Sequence, residues 1–164
     1  MPTTPPEDAF RFLSHHGFAE VKEHVLSGQK ALFSLQRFLA GEVITQFSAA
    51  EIRSTPNYLT VQTGDDQHII LNPEFIQYIN HSCIPNSFFN TTTMQLVALT
   101  NIEPGTELTF FYPSTEWNMQ QSFLCNCGHV DCLGEIRGAA HLSLKQASRY
   151  RLTDFILSKR KATK

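Results

Sequence analysis

The spacing of the cysteines constrains this chain more than any other feature of its sequence. Three of the four cysteines, Cys125, Cys127 and Cys132, form a Cys-x-Cys-x4-Cys cluster, and Gly128 follows the second of them. A glycine at that point lets the backbone turn sharply around an ion. Three thiols this close indicate a structural Zn²⁺ site, because such sites use four nitrogen or sulfur ligands. A set of unrelated buried thiols is the alternative interpretation.

The fourth ligand of such a site can come from either of two residues. Cys83 is the one remaining cysteine, and a site completed by it would pin the C-terminal segment against the middle of the chain. His129 is the alternative, although its place inside the loop between Cys127 and Cys132 is a strained one. We expect Cys83. A shell of four cysteines leaves no open coordination position, so the zinc would be structural rather than hydrolytic.

Short apolar runs separated by turn residues dominate the rest of the chain. The runs predict strands at Ala31–Phe33, Val43–Phe47, Tyr58–Gln62, His68–Leu71, Met94–Leu99 and Leu108–Tyr112. Two stretches are typical of helix. Pro73–Asn80 is long enough for one or two turns, and Ser143–Ser158 repeats its apolar residues at helical spacing. The pattern predicts a mainly β domain, of the β-rich α+β kind.

Composition and charge narrow the class of protein. The 164 residues, with 41% hydrophobic and 17% charged, fit one packed globular domain. The net charge of −2 hides an asymmetry, because residues 145–164 hold seven of the thirteen basic residues and one of the fifteen acidic residues. The body is therefore acidic, which favours Lys- or Arg-rich partners by complementary charge. Nucleic acid is not an expected partner.

The sequence also indicates the cellular compartment in which we expect the protein. No apolar run approaches the roughly 20 residues of a membrane span, and the first six residues lack the basic and apolar regions of a signal peptide. We therefore expect a soluble intracellular protein, in the cytoplasm or nucleus, with no membrane partner. In a reducing compartment, closely spaced cysteines are more typical of metal binding than of disulfides.

Three motifs resemble those of the SET-domain protein lysine methyltransferases. Tyr78–Asn86 (YINHSCIPN) resembles the central R-F-x-N-H-S-C-x-P-N motif, and Gly105–Tyr112 (GTELTFFY) resembles G-x-E-L-T-F-D-Y. Cys125–Gly134 resembles the C-x-C-x4-C-x-G of the post-SET zinc segment. The resemblance implies the SET fold, with short sheets, a threaded C-terminal segment, a post-SET zinc site and a C-terminal helix. It divides the chain into an N-terminal extension (1–21), a SET domain (22–115), a post-SET zinc-binding segment (116–138) and a C-terminal helix with a basic tail (139–164).

The resemblance also implies an activity and a set of site residues. The activity is S-adenosylmethionine-dependent transfer of a methyl group to a lysine side-chain amine of a protein or peptide, a histone or another protein. Such a transfer needs alignment and desolvation more than a nucleophile on the protein. Tyr112 is the implied catalytic residue, which orients the amine. The implied cofactor-binding residues are Lys30, Ala31, Leu32, Asn80, His81, Tyr112, Phe123 and Leu133, and the implied zinc ligands are Cys83, Cys125, Cys127 and Cys132.

Departures from the family pattern leave two further interpretations open. Gln29 and Ala31 stand where the family has two glycines beside the methionine part of the cofactor, and Phe111 replaces the acid before the last tyrosine. The chain could therefore be a non-catalytic SET-fold binding module, or an enzyme that uses the same pocket on a small molecule. Val97 stands where an aromatic residue often sets the degree of methylation, and its smaller side chain predicts room for multiple methylation.

Overall fold

The computed structural model describes residues 9–163, which form short strands, 3-10 turns and two short α-helices. The strands are β1 (Phe10–His15), β2 (Ala19–His24), β3 (Lys30–Ser34), β4 (Val43–Gln46), β5 (Ser48–Arg53), β6 (Val61–Gly64), β7 (Gln67–Asn72), β8 (Asn80–His81), β9 (Ser87–Asn90), β10 (Gln95–Ala98), β11 (Thr109–Phe110), β12 (Phe123–Leu124) and β13 (Glu135–Ile136). The 3-10 turns are Glu74–Tyr78, Tyr112–Ser114 and Ala139–His141, and the helices are α1 (Leu144–Ala147) and α2 (Asp154–Ala162). No helix in this range is long and apolar enough to cross a membrane.

Three antiparallel sheets of three strands form the body of the molecule. Their strand orders are β1-β2-β3, β4-β10-β9 and β5-β7-β6. Their inward side chains meet in one hydrophobic cluster, the main core, in which Leu32, Phe89 and Leu96 are fully buried. Each such side chain stabilises the fold by roughly 1.5–3 kcal/mol relative to an exposed position. The mainly β fold class predicted from the apolar runs is confirmed.

A short parallel pair, β8 with β11, brings the two SET-like motifs side by side. Asn80 pairs with Thr109 and His81 pairs with Phe110. The Asn86 side chain also holds β11 in place. Its Nδ2 donates to the Glu107 carbonyl at 2.8 Å, and its Oδ1 accepts from the Thr109 amide at 2.9 Å. This register positions the residues that follow β11 next to those of β8.

All six predicted strands overlap an observed strand (β3, β4, β6, β7, β10 and β11), but residues 58–60 of Tyr58–Gln62 are not in a strand. Tyr58 is 86% exposed and lies in a turn before β6. Asn57 stabilises that turn, because its Oδ1 accepts from the Leu59 amide at 2.8 Å and its carbonyl accepts from the Thr60 hydroxyl at 3.0 Å. A local side-chain hydrogen bond of this kind competes with strand formation.

The single helix predicted over Ser143–Ser158 is wrong, because the structure has two helices in this range, separated by a non-helical link, residues 148–153. Each helix has its own N-cap: the Ser143 side chain accepts from the Gln146 amide, and the Thr153 side chain accepts from the Ile156 amide. In the link, the Tyr150 hydroxyl donates to the Cys83 carbonyl at 2.8 Å. A continuous helix would forfeit these caps and that contact.

A second, smaller hydrophobic cluster joins the link and α2 to the end of β11. Its buried members are Phe111, Ala139, Leu152 and Ile156. The Phe111 ring stacks on the Tyr150 ring, with centroids 3.6 Å apart and planes 8° apart. Phe111, which replaces an acid of the family motif, is therefore the anchor for the C-terminal segment. The chain end at residue 164 and the N-terminal stretch 1–8 lie outside the described residues.

Candidate active site and metal centre

The four cysteines converge at one point, although Cys83 is far from the others in sequence. Their Sγ atoms all lie within 4.8 Å of one another. Cys83 follows β8, Cys125 follows β12, and Cys127 and Cys132 lie in the loop that leads to β13. The Cys83 Sγ is 3.8 Å from that of Cys125 and 3.9 Å from that of Cys132. In a tetrahedral Zn²⁺ site with bonds of about 2.3 Å, the sulfurs stand about 3.8 Å apart.

The donor set and its spacing therefore fit a four-cysteine zinc site. His129 lies outside this group, and its Nδ1 accepts a hydrogen bond from the Asp131 amide at 3.1 Å. Burial raises the pKa of Cys83, and burial raises that of Cys125 to about 11. Burial also acts to raise the pKa of Cys127, but hydrogen bonds led by one to His129 outweigh it and lower the value to about 7. A divalent cation would replace the thiol protons of such a cluster.

A cavity of about 640 Å³ opens beside β8 and β11, with Tyr112 in its wall. Its size is within the range of small-molecule and cofactor sites. Of the implied cofactor-binding residues, Lys30, Asn80, Tyr112 and Phe123 line it. The structure thus brings together residues from the β2–β3 turn, from both motifs and from the strand that leads into the cysteine cluster.

One end of the cavity, the turn end, is built by hydrogen bonds between the start of β3 and β8. The Asn80 Nδ2 donates to the Lys30 carbonyl at 2.9 Å, and the Asn80 Oδ1 accepts from the Gln29 Nε2 at 3.2 Å. The Lys30 ammonium lies 5.0 Å from the centroid of the Tyr78 ring. Gln29, which stands where the family has a glycine, therefore uses its side chain to hold Asn80. Gly28, with φ of 73°, supplies the left-handed conformation that this turn requires.

Four of the implied cofactor-binding residues lie outside the cavity lining: Ala31, Leu32, His81 and Leu133. Ala31 and Leu32 are 2% and 0% exposed, because both are packed inside the sheet. The Leu133 amide donates to the Cys83 Sγ at 3.5 Å, and its side chain packs against the smaller cluster. The side chains of Ala31 and Leu32 are thus closed to a molecule bound in the cavity.

His81 links the tyrosine to the cysteine cluster. Its Nδ1 accepts a hydrogen bond from the Tyr112 amide at 3.1 Å, and its Nε2 lies 3.5 Å from the Cys83 Sγ. Burial lowers the pKa of His81 to about 4, so the imidazole is neutral near pH 7. Because Nδ1 accepts, the one ring proton is on Nε2, where it points to the sulfur. His81 therefore orients the Tyr112 backbone from behind the cavity wall.

The Tyr112 ring stands in an aromatic wall. Its centroid is 4.7 Å from that of Phe110, 5.2 Å from that of His81 and 5.7 Å from that of Phe123. Burial, with a smaller contribution from the nearby carboxylates Glu116 and Glu107, raises the pKa of Tyr112 to about 12. Its hydroxyl is therefore protonated at neutral pH and available both to donate and to accept a hydrogen bond.

Glu116 also lines the cavity, although no motif in the sequence indicates a functional role for it. Its Oε2 accepts from the Gln62 amide at 3.0 Å and from the Thr115 hydroxyl at 2.6 Å. Burial raises the pKa of Glu116 to about 7, although both of these hydrogen bonds act to lower it. A single acid in a run of mixed polar residues gives no periodic or motif signal. Its partner Gln62 comes from a distant strand, so no local pattern predicts the pair.

The structure does not support the inference drawn from Val97. Val97 is 8% exposed in β10, where it pairs with Phe88 of β9, and it is not among the residues that line the cavity. Its size therefore does not set the room beside Tyr112. Phe89 and Phe110 are the core aromatic residues that reach the cavity.

Comparison with known proteins agrees with this architecture. The SET domain family model matches residues 29–113, which include the turn end, β8, β11 and Tyr112. Methyltransferase flvH from Aspergillus flavus is 39% identical to the chain over 126 residues, which cover 75% of the chain and 70% of the relative. The chain therefore belongs to the SET-domain methyltransferase family, and a methyltransferase relative supports methyl transfer as its activity.

Proposed function

We propose that this protein transfers a methyl group from S-adenosylmethionine to a lysine side-chain amine of a protein or peptide. The observation that carries the proposal is the parallel pairing of β8 with β11, which sets Asn80 and Tyr112 in the wall of one cavity. The family assignment supports the same activity.

The residues of the turn end fit the cofactor. The cavity offers the aromatic face of Phe123, the amide of Asn80 and the backbone of Lys30, a mixture that suits a molecule with an adenine ring and an amino-acid tail. We assign Lys30, Asn80 and Phe123 to direct contact, Ala31 and Leu32 to backbone contact, and His81 and Leu133 to support from behind. When bound, S-adenosylmethionine supplies a methyl group on a positively charged sulfur.

Tyr112 is the residue that we assign to the reacting amine. Its hydroxyl stays protonated, and the surrounding aromatic rings exclude water. A fixed hydroxyl in such a wall can accept a hydrogen bond from a neutral amine and direct the nitrogen lone pair along the cavity. Nearby positive charge and burial both lower the pKa of a lysine amine, so no other nucleophile is required.

In this proposal, a zinc ion would stabilise the segment that covers the site. Cys83, Cys125, Cys127 and Cys132 are the ligands, and the ion closes the loop that carries Phe123 over Tyr112. Phe123 lies two residues before Cys125, and its ring is 5.5 Å from His81. Because Cys83 lies far along the chain from the other three ligands, metal binding would contribute directly to the folding of this region.

Calorimetric titration of the zinc-loaded protein with S-adenosylmethionine, followed by transfer of labelled methyl to lysine-containing peptides, tests the proposal. We expect saturable binding of about one cofactor per chain and label on the lysine. Label on small amines but on no peptide would favour the small-molecule enzyme instead. Absence of binding to folded, zinc-replete protein would favour the non-catalytic module.

Substitution of the tyrosine tests its assigned role. Tyr112→Phe removes the hydroxyl and keeps the ring, so we expect methyl transfer to slow by about a hundredfold or more while cofactor affinity changes little. Unchanged turnover would remove Tyr112 from the mechanism. Tyr58→Phe is the matched control, because Tyr58 also borders the cavity but its side chain is 86% exposed and outside the aromatic wall.

A further inference from the structure

Gln62, His68 and Glu116 give the cavity lining a polar part that the proposed mechanism does not use. We propose that Glu116 is a substrate-binding residue, whose carboxylate receives the amino group of the substrate and makes the site selective for amines. The inference rests on the proposed function, because it assigns the substrate-recognising group of the same cavity.

The hydrogen bonds that hold the Glu116 carboxylate both go to one of its two oxygens. Its Oε2 takes both hydrogen bonds, from Gln62 and Thr115, whereas its Oε1 receives none within residues 9–163. The Gln62 side chain fixes the next residue as well, because its Oε1 accepts from the Trp117 amide at 2.9 Å. The carboxylate is thus oriented before any ligand arrives, as a binding group should be.

The position of Glu116 relative to Tyr112 suits a role in amine recognition. Its amide donates to the Tyr112 carbonyl at 3.0 Å, so the two residues are one turn apart on the same short segment. Both side chains line the cavity. The hydrogen bonds that hold Glu116 come from Thr115 and β6, whereas those that hold Asn80 come from the start of β3 and from Glu107. The carboxylate and the Asn80 amide are therefore positioned by different elements of the fold.

The charge of Glu116 has no counterpart in the described chain. None of the ion pairs among residues 9–163 includes it. Lys30, the lysine that lines the same cavity, lies over the Tyr78 ring. A buried carboxylate without a cation is costly, and the raised pKa of Glu116 reflects that cost. A substrate ammonium beside the carboxylate would remove that cost, and the carboxylate can then take the ammonium proton, which leaves the neutral amine that Tyr112 orients.

His68 supplies an independent sign of an unfilled polar site in the same part of the lining. It is 7% exposed and lines the cavity, and its Nδ1 has no hydrogen-bond partner among the described residues. Burial lowers its pKa, although Asp66 acts to raise it, so the ring is neutral and does not compensate Glu116. Buried polar atoms normally have partners, so this nitrogen is available for a hydrogen bond with a molecule bound in the cavity.

Two probes that differ in one group test the inference: Nα-acetyl-lysine amide and its analogue with a hydroxyl in place of the amine. Their affinities are measured by magnetic-resonance titration of the zinc-loaded protein saturated with S-adenosylhomocysteine. We expect the wild-type protein to bind the amine at least about tenfold more tightly than the alcohol, since a hydrogen bond to a charged group contributes that much. Equal affinities would overturn the inference without any variant.

Glu116→Gln keeps the shape and the acceptor for the Gln62 amide but removes the charge. We expect it to abolish most of the preference for the amine and to leave S-adenosylmethionine affinity within about twofold of the wild type. Glu135→Gln is the matched control, because Glu135 is exposed and does not line this cavity. A preference that survives in Glu116→Gln, or a loss of cofactor affinity in its place, would overturn the inference.

The test separates this inference from the proposed function. Methyl transfer by the wild-type protein is measured in parallel with labelled cofactor. A wild-type protein that transfers methyl groups but does not distinguish the two probes contradicts the role of Glu116 alone. A wild-type protein that binds neither S-adenosylmethionine nor its product contradicts the proposed function first.

Discussion

The sheet region and the C-terminal segment of this molecule are held together by different kinds of interaction. The main core has seventeen buried hydrophobic residues, drawn from all three larger sheets, whereas the smaller cluster has four. The C-terminal segment adds the cysteine cluster and the hydrogen bond from Tyr150 to Cys83. The sheets are therefore stabilised by the main core. The C-terminal segment, which follows β11 and covers the cavity, is stabilised by a few specific contacts.

Phe89→Ala should destabilise the whole protein. Phe89 is fully buried and packs edge-on against Phe47 and Phe110. Truncation of such a side chain costs about 3–5 kcal/mol in the free energy of unfolding, which urea denaturation measures. Leu26→Ala is the control, because Leu26 is 90% exposed. A small loss for Phe89→Ala would mean that the main core is not the dominant source of stability.

Removal of the metal, by a chelator or by Cys127→Ser, should loosen the C-terminal segment and spare the sheets. We expect the zinc content to fall from about one ion per chain. We also expect amide hydrogen exchange to accelerate in β12, in β13 and in the link between α1 and α2. Cofactor affinity should fall as well, because Phe123 loses its support. His129→Ala serves as the control and should keep the zinc. Equal acceleration of exchange throughout the sheets would show that the two regions unfold as one unit.

Tyr150→Phe should weaken the C-terminal segment by a modest amount. The substitution removes the hydrogen bond to the Cys83 carbonyl and keeps the stacking on Phe111. We expect a loss of about 0.5–1.5 kcal/mol, seen as faster exchange in the link with little change in β7. If exchange in the link stays at the wild-type rate, the caps of α1 and α2 hold the segment without Tyr150.

Glu116 lies between the two regions and should give stability a small dependence on pH. Its pKa in the folded protein is about 7 against an ordinary value of 4.5, so between these values the folded state holds a proton that the unfolded state has lost. The Glu116 contribution to stability is therefore largest below pH 4.5 and declines as pH rises to about 7.

The difference between the wild type and Glu116→Gln isolates that contribution. Urea denaturation at several pH values should show the wild type losing stability relative to the variant as pH rises through this window. The lowered pKa values of His68 and His81 act in the opposite direction, but they are common to both proteins and cancel in the difference. A difference that does not change with pH would mean that the Glu116 pKa is ordinary.

The parts of the structure that the sequence predicts are those with a local signal. The spacing of three cysteines indicated the metal cluster, and the count of ligands led to Cys83, which the structure places beside them. Short apolar runs predicted β3, β4, β7, β10 and the start of β6, but they did not predict β1, β2, β5 or β9. The helix over Ser143–Ser158 was wrong because its apolar spacing serves burial against Phe111, and neither this contact nor the Tyr150 hydrogen bond is visible in the local pattern.

The part of the site that the sequence does not predict depends on contacts between distant residues. Glu116 is held by Gln62, 54 positions earlier, and Gln29 reaches Asn80 across 51 positions. Neither pair follows from periodicity or from a motif. The resemblance to the SET family supplied Asn80 and Tyr112, which line one cavity, but it also suggested Val97, which lies in a sheet instead.

The pairing of β8 with β11 also makes the geometry of the cavity independent of the length of the hairpin between these two strands. The hairpin β9–β10 lies between the two paired strands in sequence, yet the Asn86 side chain fixes β11 at the start of that hairpin, and the Ser87 hydroxyl donates to the Thr109 carbonyl at 2.7 Å. Thr93, at the hairpin tip, is exposed, whereas the exposed Thr92 donates its hydroxyl to Asp154 of α2 at 2.6 Å, so an insertion belongs after Thr92. Residues inserted at this tip would be accommodated in solvent, and the spacing of Asn80 and Tyr112 would not change. The tip is accordingly a natural position for an engineered loop, a fluorophore or a purification epitope.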